Sequence, residues 1–554
     1  MRWRGWIGGL AVLFCGAVLA SSDPAKNIDA LLAKEASRDR PGLAVGVYRQ
    51  GKVVYSRAFG MADLEQDRAL TPASQFNVAS VSKHFTAFAV LLLVQGGKLG
   101  LDDDIRRYLP YVPDFGAKIS VRHLIWHTSG LREEGNLFIM AGRAKEDYRR
   151  QQQVLNLVEA QRALNFAPGS DHLYCNTNYI LLAELVKAVS GQSFREFTSE
   201  RIFKPLGMTR SFFRDDMHEL VPGKANSYKQ DAAKGRWLLS LDNHDLLGSI
   251  DLFTTAEDLL LWAKNLAHPV VGSPELIKQF VQMGAIDDGT PLEYGYGLTP
   301  MSYAGHAGVA HGGSQAEFRS DFNFFPAEDF AVVVLRNSVG EMASIVDAIV
   351  REYLGDAGGK PLVPPRAPIS VSKRNALVGD YLTEFGPLLS LRVEGDGITS
   401  RAGASPERLV TRADGTFDTG DDLRAFNNYY QPVWDRGGRV TEIRGLSGSG
   451  RREVTYRRVT VALPSVNDLQ ELSGSYRSSE LDTTYRLAVR DGALTISSLW
   501  LTEPVVLRPT VRDQFESSAW WLRSLVFQRD SAGKPTGFVI HAGRVRNVQF
   551  QLAP

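Results

Sequence analysis

The chain reads as an α+β protein, with one large domain built on an antiparallel sheet under helical layers and two small antiparallel β-barrels behind it. Three observations predict this. First, Gly42 to Val47 and Val53 to Tyr55 read as a hairpin around Gln50-Gly51, and Phe330-Ala331-Val332-Val333-Val334-Leu335 reads as a buried strand nearly 280 residues later. Second, the intervening segment is mostly helical, with Ser80 to Gln95 stopped by Gly96-Gly97 and Asn178 to Val189 stopped near Gly191. Strands at both ends of such a segment place the two ends in one sheet covered by helices. Third, the region after Pro368 repeats itself. Leu377-Val378-Gly379-Asp380-Tyr381 matches Leu472-Ser473-Gly474-Ser475-Tyr476, Asp396-Gly397 matches Asp491-Gly492, and Gly438 to Thr441 matches Gly533 to Thr536, each at an offset of 95. Short alternating strands with Asp-Gly turns in two copies predict a duplicated barrel.

Between these regions, Gly355-Asp356-Ala357-Gly358-Gly359-Lys360-Pro361, continuing through Pro364-Pro365 and Pro368, has the Pro and Gly density of a linker. The expected organisation is a removable segment at 1–20, a main domain at 21–355, a linker at 356–370 and barrels at 371–462 and 463–554. The first twenty residues carry Arg2 and Arg4 ahead of the apolar stretch Ile7 to Ala20, with Val18 and Ala20 as a small-residue cleavage pair. That pattern predicts export to the periplasm or outside, with cleavage after Ala20. An apolar run of this length is too short for a confident membrane span, so no stable span is expected after cleavage. Cleavage would leave Cys175 as the only cysteine, which excludes an intrachain disulfide.

At 554 residues, 44% hydrophobic and 23% charged, the chain can bury a large core. Lys plus Arg at 63 against Asp plus Glu at 62 leaves a net charge of +1, so no overall field draws it to nucleic acid or an anionic membrane. The oligomeric state, a dimer included, is left open by the sequence.

Three clusters carry chemistry: Ser80-Val81-Ser82-Lys83, Tyr174-Cys175-Asn176 and His311-Gly312-Gly313. A serine hydroxyl needs a neighbour to take its proton, and Lys83 and Tyr174 can supply that without a Ser-His-Asp triad. Ser-x-x-Lys also occurs at Ser370 to Lys373 and Ser531 to Lys534. Only Ser80 opens a long apolar helix, where the lysine at i+3 shares its face and the helix N-terminus favours negative charge. The other two read as solvated residues in the linker and a turn. Tyr174 is either the base for Ser80 or the proton donor to the leaving group, and a cation beside it would favour the phenolate. Cys175 reads as a small buried filler. His311, the best placed of three His-x-Gly matches, is expected on a sheet edge, where Gly312 and Gly313 let a substrate backbone approach. The N–H groups of Ser80 and Ser314 form the expected oxyanion hole. His123 and His127 stand at i, i+4, without a third metal ligand in motif spacing, and no cofactor or metal is implied.

Together these residues resemble the serine β-lactamase and penicillin-binding superfamily, in the branch that holds class C β-lactamases, D,D-carboxypeptidases, family VIII esterases and D-aminopeptidases. Supporting stretches are Val121 through Leu131, Gly248 through Leu259 and Tyr294-Gly295-Tyr296-Gly297, so the likeness covers roughly residues 30 to 350. It implies a β-lactamase/transpeptidase-like fold, a Ser80 acyl-enzyme, Lys83, Tyr174 and His311 as catalytic residues, and Asn176 in substrate binding. A catalytic domain followed by two lipocalin-like barrels is most similar to D-aminopeptidases in layout. Where β-lactamases usually have a lysine to hold the substrate carboxylate, this chain has His311, largely neutral at pH 7 if unperturbed. Substrates without a carboxylate beside the scissile bond fit better: the N-terminal residue of a small peptide, or an ester. A weak β-lactamase and a catalytically dormant peptidoglycan-binding protein are the remaining alternatives. In D-aminopeptidases a barrel loop reaches the active site, which places the acid for a substrate amine beyond residue 370 as an expectation.

Overall fold

The computed structural model describes residues 23–144, 147–358, 364–401, 406–418, 429–446 and 452–553. The leader at 1–20 and Gly359 to Pro361 of the linker lie outside the described residues.

Six antiparallel strands make the central sheet: β1 (Leu43–Arg49), β2 (Lys52–Phe59), β3 (Thr299–Tyr303), β4 (His306–Gln315), β5 (Phe318–Phe325) and β6 (Phe330–Arg336), in the order β3-β4-β5-β6-β1-β2. The two ends of the segment meet where β1 pairs with β6, Leu43 opposite Arg336 and Arg49 opposite Phe330. The β1–β2 hairpin turns at Gln50 and Gly51, both with positive φ (47° and 81°), which suits the right-handed twist of the strands. Both faces of β1 and β6 are covered, which is why their sequences are apolar without alternation. One face, with Val45, Val47, Val332 and Val334, packs on helices α1 (Pro24–Leu32) and α5 (Ala343–Leu354). The other, with Ala44, Tyr48, Val333 and Leu335, belongs to the larger core around α2 (Ser82–Gln95), α3 (Asn176–Ser190) and α4 (Ala256–Ala267). Every residue of α2 from Ser82 to Leu93 is buried, as expected of a helix apolar on all sides. Helix α3 starts two residues earlier than its periodicity suggests and ends at Gly191, left-handed at φ 75°.

Two closed eight-stranded antiparallel barrels follow, the first running from Gly379–Leu382 to Arg452–Val459 and the second from Gly474–Ser478 to Val545–Leu552. The repeat has a physical counterpart. Tyr381 and Tyr476 are both fully buried, and each phenol donates to a carbonyl four residues back, Leu377 and Leu472, at 2.9 Å. Asp435 and Asp530 each accept two turn N–H groups at 2.8–2.9 Å ahead of the left-handed Gly438 and Gly533. The 95-residue offset slips by one at the first hairpin. Glu394 pairs with Gly397 there, but Arg490 pairs with Ala493, so the first copy turns on Gly395-Asp396 rather than on Asp396-Gly397. Ser370 caps a short helix, its hydroxyl accepting from Lys373 N at 3.4 Å, and its Ser-x-x-Lys is exposed. Among the described residues no helix is long and apolar enough to cross a membrane.

Candidate active site

Ser80 is aimed by backbone strain. It lies in a 3₁₀ turn, Ala79–Val81, that runs into α2, and Ala79 is held at φ 48°. The left-handed region costs a residue with a Cβ roughly 1–2 kcal/mol. Asn77 offsets this by accepting from Ala79 N at 2.9 Å, while its own amide donates to Asp251 at 3.0 Å. Gly313 of β4 closes on the same turn: a Cβ there would stand 2.3 Å from Val78 O and 2.2 Å from Ser320 Oγ. The glycine expected to make room for substrate is therefore required by internal packing. Nothing in the sequence signals the strained Ala79.

Lys83 reaches back to this turn from the same face of α2. Its Nζ donates to Ser80 Oγ at 3.1 Å, to Asn176 Oδ1 at 2.8 Å and to the carbonyl of Ser249 at 2.8 Å. Gly297 lets the neighbouring loop press on this segment: at φ +81°, its Cβ would come 2.8 Å from Lys83 C. Complete burial lowers the Lys83 pKa to about 7, with Glu133 opposing the shift and Arg544 reinforcing it. A substantial fraction of the lysine is then a neutral amine at physiological pH, hydrogen-bonded to the hydroxyl it would deprotonate.

The Tyr174 ring covers the lysine, its centroid 4.9 Å from Nζ. A phenolate is disfavoured here: burial pushes the Tyr174 phenol above its ordinary value, with the nearby Ser80 hydroxyl and the charge of Arg544 acting the other way. The group is a proton donor at neutral pH. Burial also pushes the Cys175 thiol up, which keeps it an unreactive filler.

His311 stands behind Tyr174, ring centroids 6.1 Å apart. Its Nδ1 donates to Gly312 O at 2.6 Å, which leaves Nε2 to accept from the Tyr294 hydroxyl at 3.4 Å. Burial, reinforced by Lys83, holds His311 at about 3, so it is neutral. Strand β4 is not the edge; β3 is. Yet β3 begins only at Thr299, opposite Ala310, so the stretch carrying His311, Gly312, Gly313 and Ser314 has an open side. Gln315 and Phe318 flank the two-residue turn into β5, and by alternation the N–H of Ser314 faces that open side, toward the turn that carries Ser80.

Asn176, the first residue of α3, is engaged at both ends: Oδ1 accepts from Lys83, and Nδ2 donates to Glu133 Oε1 at 2.7 Å while its backbone N donates to Oε2 at 2.5 Å. Beside it opens a cavity of about 380 Å³ with Glu133, Glu134, Asn136 and Gln315 on its walls. Gln315 is held by a hydrogen bond to His244. The second barrel closes this cavity with Trp520, Arg523 and Arg544. Arg544 lies over the Tyr174 ring, 4.6 Å from its centroid, and donates to Glu133 at 3.3 Å. A barrel loop thus reaches the site as expected, but with a cation. The cavity's carboxylates, Glu133 and Glu134, come from the main domain rather than from beyond residue 370. The pair in Arg132-Glu133-Glu134 has no recognisable spacing in the sequence, and Arg544 is 461 residues from Lys83, so neither could be placed without the fold. His123 and His127 do not share a ligand: His123 faces Asp287 at 3.3 Å, and His127 Nδ1 accepts from Cys175 N at 3.1 Å.

Comparison with known proteins bears on the family and the fold. Residues 25–354 match the Beta-lactamase family model. D-aminopeptidases of Brucella melitensis biotype 2 and Brucella anthropi are each 27% identical, over 92% of this chain and 95% of their own length. In structure the chain is similar to an octameric penicillin-binding protein homologue from Pyrococcus abyssi (TM-score 0.54, 23% identity, 78% of this chain and 99% of that one). It is also similar to the D-amino acid amidase from Ochrobactrum anthropi SV3 (TM-score 0.50, 23% identity, 60% and 99%). The family match spans more than half of the chain and contains the buried amine, its serine and the cavity carboxylates, and on that ground the protein belongs to the β-lactamase family and is a serine hydrolase.

Proposed function

We propose that the protein is an exported D-aminopeptidase-like hydrolase that removes the N-terminal residue of small peptides or amides through an ester on Ser80. The observation that carries this reading is the pairing of a fully buried Lys83, hydrogen-bonded to Ser80, with a cavity whose walls hold two carboxylates. The 27% identity to D-aminopeptidases across 92% of the chain, barrels included, supports it. The preference for the D configuration rests on those relatives, and export rests on the leader pattern.

In the first half-reaction Ser80 Oγ bonds to the scissile carbonyl carbon as its proton passes to the Lys83 amine. The carbonyl electron pair moves to oxygen, held by the N–H groups of Ser80 and Ser314. When that pair returns, the C–N bond breaks. The leaving nitrogen takes the Tyr174 proton, which the Lys83 ammonium replaces. Water then attacks the Ser80 ester by the same path in reverse, releasing the amino acid and restoring Ser80. Asn176 and neutral His311 hold Lys83 and Tyr174 in place. Glu133 is saturated by Asn176 and Arg544, which leaves Glu134 to receive the substrate ammonium. Its carboxylate pairs with Arg149 at 3.4 Å. Burial raises the Glu134 pKa, with Arg149 acting against it; a substrate ammonium beside it would act in the same direction as Arg149.

Release of p-nitroaniline from D-alanine and L-alanine p-nitroanilides, with Ser80→Ala as the blank, tests this. Turnover of the D substrate supports the proposal. Turnover of the L substrate alone, or of p-nitrophenyl esters alone, overturns it in favour of another aminopeptidase or an esterase.

A further inference from the structure

Arg544 is not merely close to the site but fixed there. It occupies the two-residue turn between strands Pro535–Ala542 and Val545–Leu552 of the second barrel, beside the left-handed Gly543 (φ 58°). The main domain grips that turn on both sides. Asn165 donates to Arg544 O at 3.1 Å and accepts from Arg546 N at 2.7 Å. Asn136 donates to Ala542 O at 3.1 Å. Arg132, fully buried, donates to Arg546 O at 3.0 Å and Asn547 O at 2.7 Å, and pairs with the barrel's Glu480 at 2.6 and 2.7 Å. Arg132 and Glu133 are adjacent in sequence, so one residue locks the barrel and the next receives the barrel's cation.

We propose that Arg544 is a positioning residue of the active site, holding the Glu133 carboxylate against Asn176 and through it setting the protonation and placement of Lys83 beside Ser80. The relay is continuous: Arg544 to Glu133 at 3.3 Å, Glu133 to the Asn176 amide at 2.7 Å, Asn176 to Lys83 at 2.8 Å and Lys83 to Ser80 at 3.1 Å. The second barrel is on this account part of the general-base machinery. The inference rests on the reading of Ser80 as the nucleophile.

The charges that face Lys83 come from several elements. Glu133 and Glu134 oppose it from the loop and helix after Arg132, and Arg544 comes from the barrel. Cys175 and Tyr174 precede α3, while His127 and His311 lie behind the tyrosine, and all four are uncharged at neutral pH because burial disfavours their ionised forms. Glu133 and Arg544 therefore act on the lysine with opposite sign. Removing Arg544 unmasks Glu133 and favours the ammonium; removing the Glu133 charge leaves Arg544 and favours the amine. Because 45% of the Arg544 side chain is exposed, water screens it, and a shift on the order of one pH unit is expected rather than several.

The test is the rate of Ser80 labelling by a fluorophosphonate between pH 5.5 and 9.5, followed by intact mass, for the parent, Arg544→Ala, Arg544→Lys and Glu133→Gln. The midpoint of the rise with pH is expected to move up in Arg544→Ala by about one unit, to stay with the parent in Arg544→Lys, and to move down in Glu133→Gln. A purely structural loss of barrel docking would lower all rates without separating the midpoints by sign. Superimposed profiles, or shifts of the same sign in Arg544→Ala and Glu133→Gln, would overturn the inference while leaving Ser80 as nucleophile. No labelling of the parent at Ser80 at any pH would overturn both. If Arg544→Ala does not fold, Glu133→Gln against the parent decides: a downward shift supports the relay and none refutes it.

Discussion

Replacing Lys83 by Met is expected to change how stability depends on pH, and the size of the change follows from burial. An amine whose pKa falls from 10.5 to about 7 on folding binds its proton in the unfolded chain but not in the fold between those values. The sign is then fixed: unfolding takes up a proton, so stability rises with pH across this window, is fully penalised below about pH 7 and loses the penalty above 10.5. Each pH unit contributes at most about 1.36 kcal/mol. Between pH 7.5 and 9.5 the lysine therefore adds about 2.5 kcal/mol of stability, after allowing for the protons still bound at each end. Lys83→Met lacks this increment, whereas every other titrating group is common to the two proteins and cancels in the difference. The assay is guanidinium unfolding of the parent and Lys83→Met at both pH values, reading the transition of the main domain. The absolute stability of the variant is not diagnostic, because Met leaves three hydrogen-bonding partners of Nζ behind. The difference of differences is. Parallel pH dependences in the two proteins would mean that the folded lysine keeps its proton, and the general-base argument would fall with that result.

Glu480→Gln leaves the buried Arg132 guanidinium with an uncompensated charge and is expected to cost about 3–5 kcal/mol, read as a lower unfolding midpoint and faster proteolytic cleavage between the barrels and the main domain; a loss under about 1 kcal/mol would show that the pair is not the lock. Gly297→Ala puts a Cβ 2.8 Å from Lys83 C and 2.9 Å from His84 N, against backbone that cannot yield, and is expected to cost roughly 2 kcal/mol or more together with slower Ser80 labelling. Unchanged stability and labelling in that variant would mean that the α2 N-terminus is more plastic than its packing suggests. Glu134→Gln is expected to raise KM for D-alanine p-nitroanilide about 10- to 100-fold, the value of one charge-assisted hydrogen bond, while hydrolysis of p-nitrophenyl acetate, which has no amine, changes far less and only through the weaker effect of this charge on Lys83. Equal losses on both substrates would assign Glu134 a structural role.

What could be read from the chain and what could not divides along contact range. Ser80 and Lys83 are three residues apart, one in the 3₁₀ turn and the other in the first turn of α2 that follows it, so local geometry alone put them together. The strands at 43–49 and 330–336 were legible because burial on both faces leaves a continuous apolar run, and the barrel repeat because its tyrosine and Asx-turn positions recur. Three features were not legible. The strain at Ala79 has no sequence mark, since alanine is the residue least suggestive of a left-handed backbone. The edge position expected for His311 was wrong by one strand, because a neighbour that begins only at Thr299 produces an open side without a true edge. The role of Arg544 depends on a hairpin docking across 411 residues onto Glu133, and its charge is opposite to what an amine-binding loop suggests. The one-residue slip at Gly395-Asp396 likewise shows that a repeat can keep its side chains while shifting its turn.

The pairing of β1 with β6 has a consequence in time. Residues 43–49 leave the ribosome long before residues 330–336 exist, so the sheet under the serine cannot close until most of the main domain is made, and long-range pairing of this kind is slow to form. The last hairpin, which seats Arg544, is made later still. A chain threaded to another compartment in the unfolded state would carry its nucleophile there in an unassembled form. On the proposal made above, the relay from Arg544 to Lys83 would be completed only after the hairpin at 535–552 had been made and had docked.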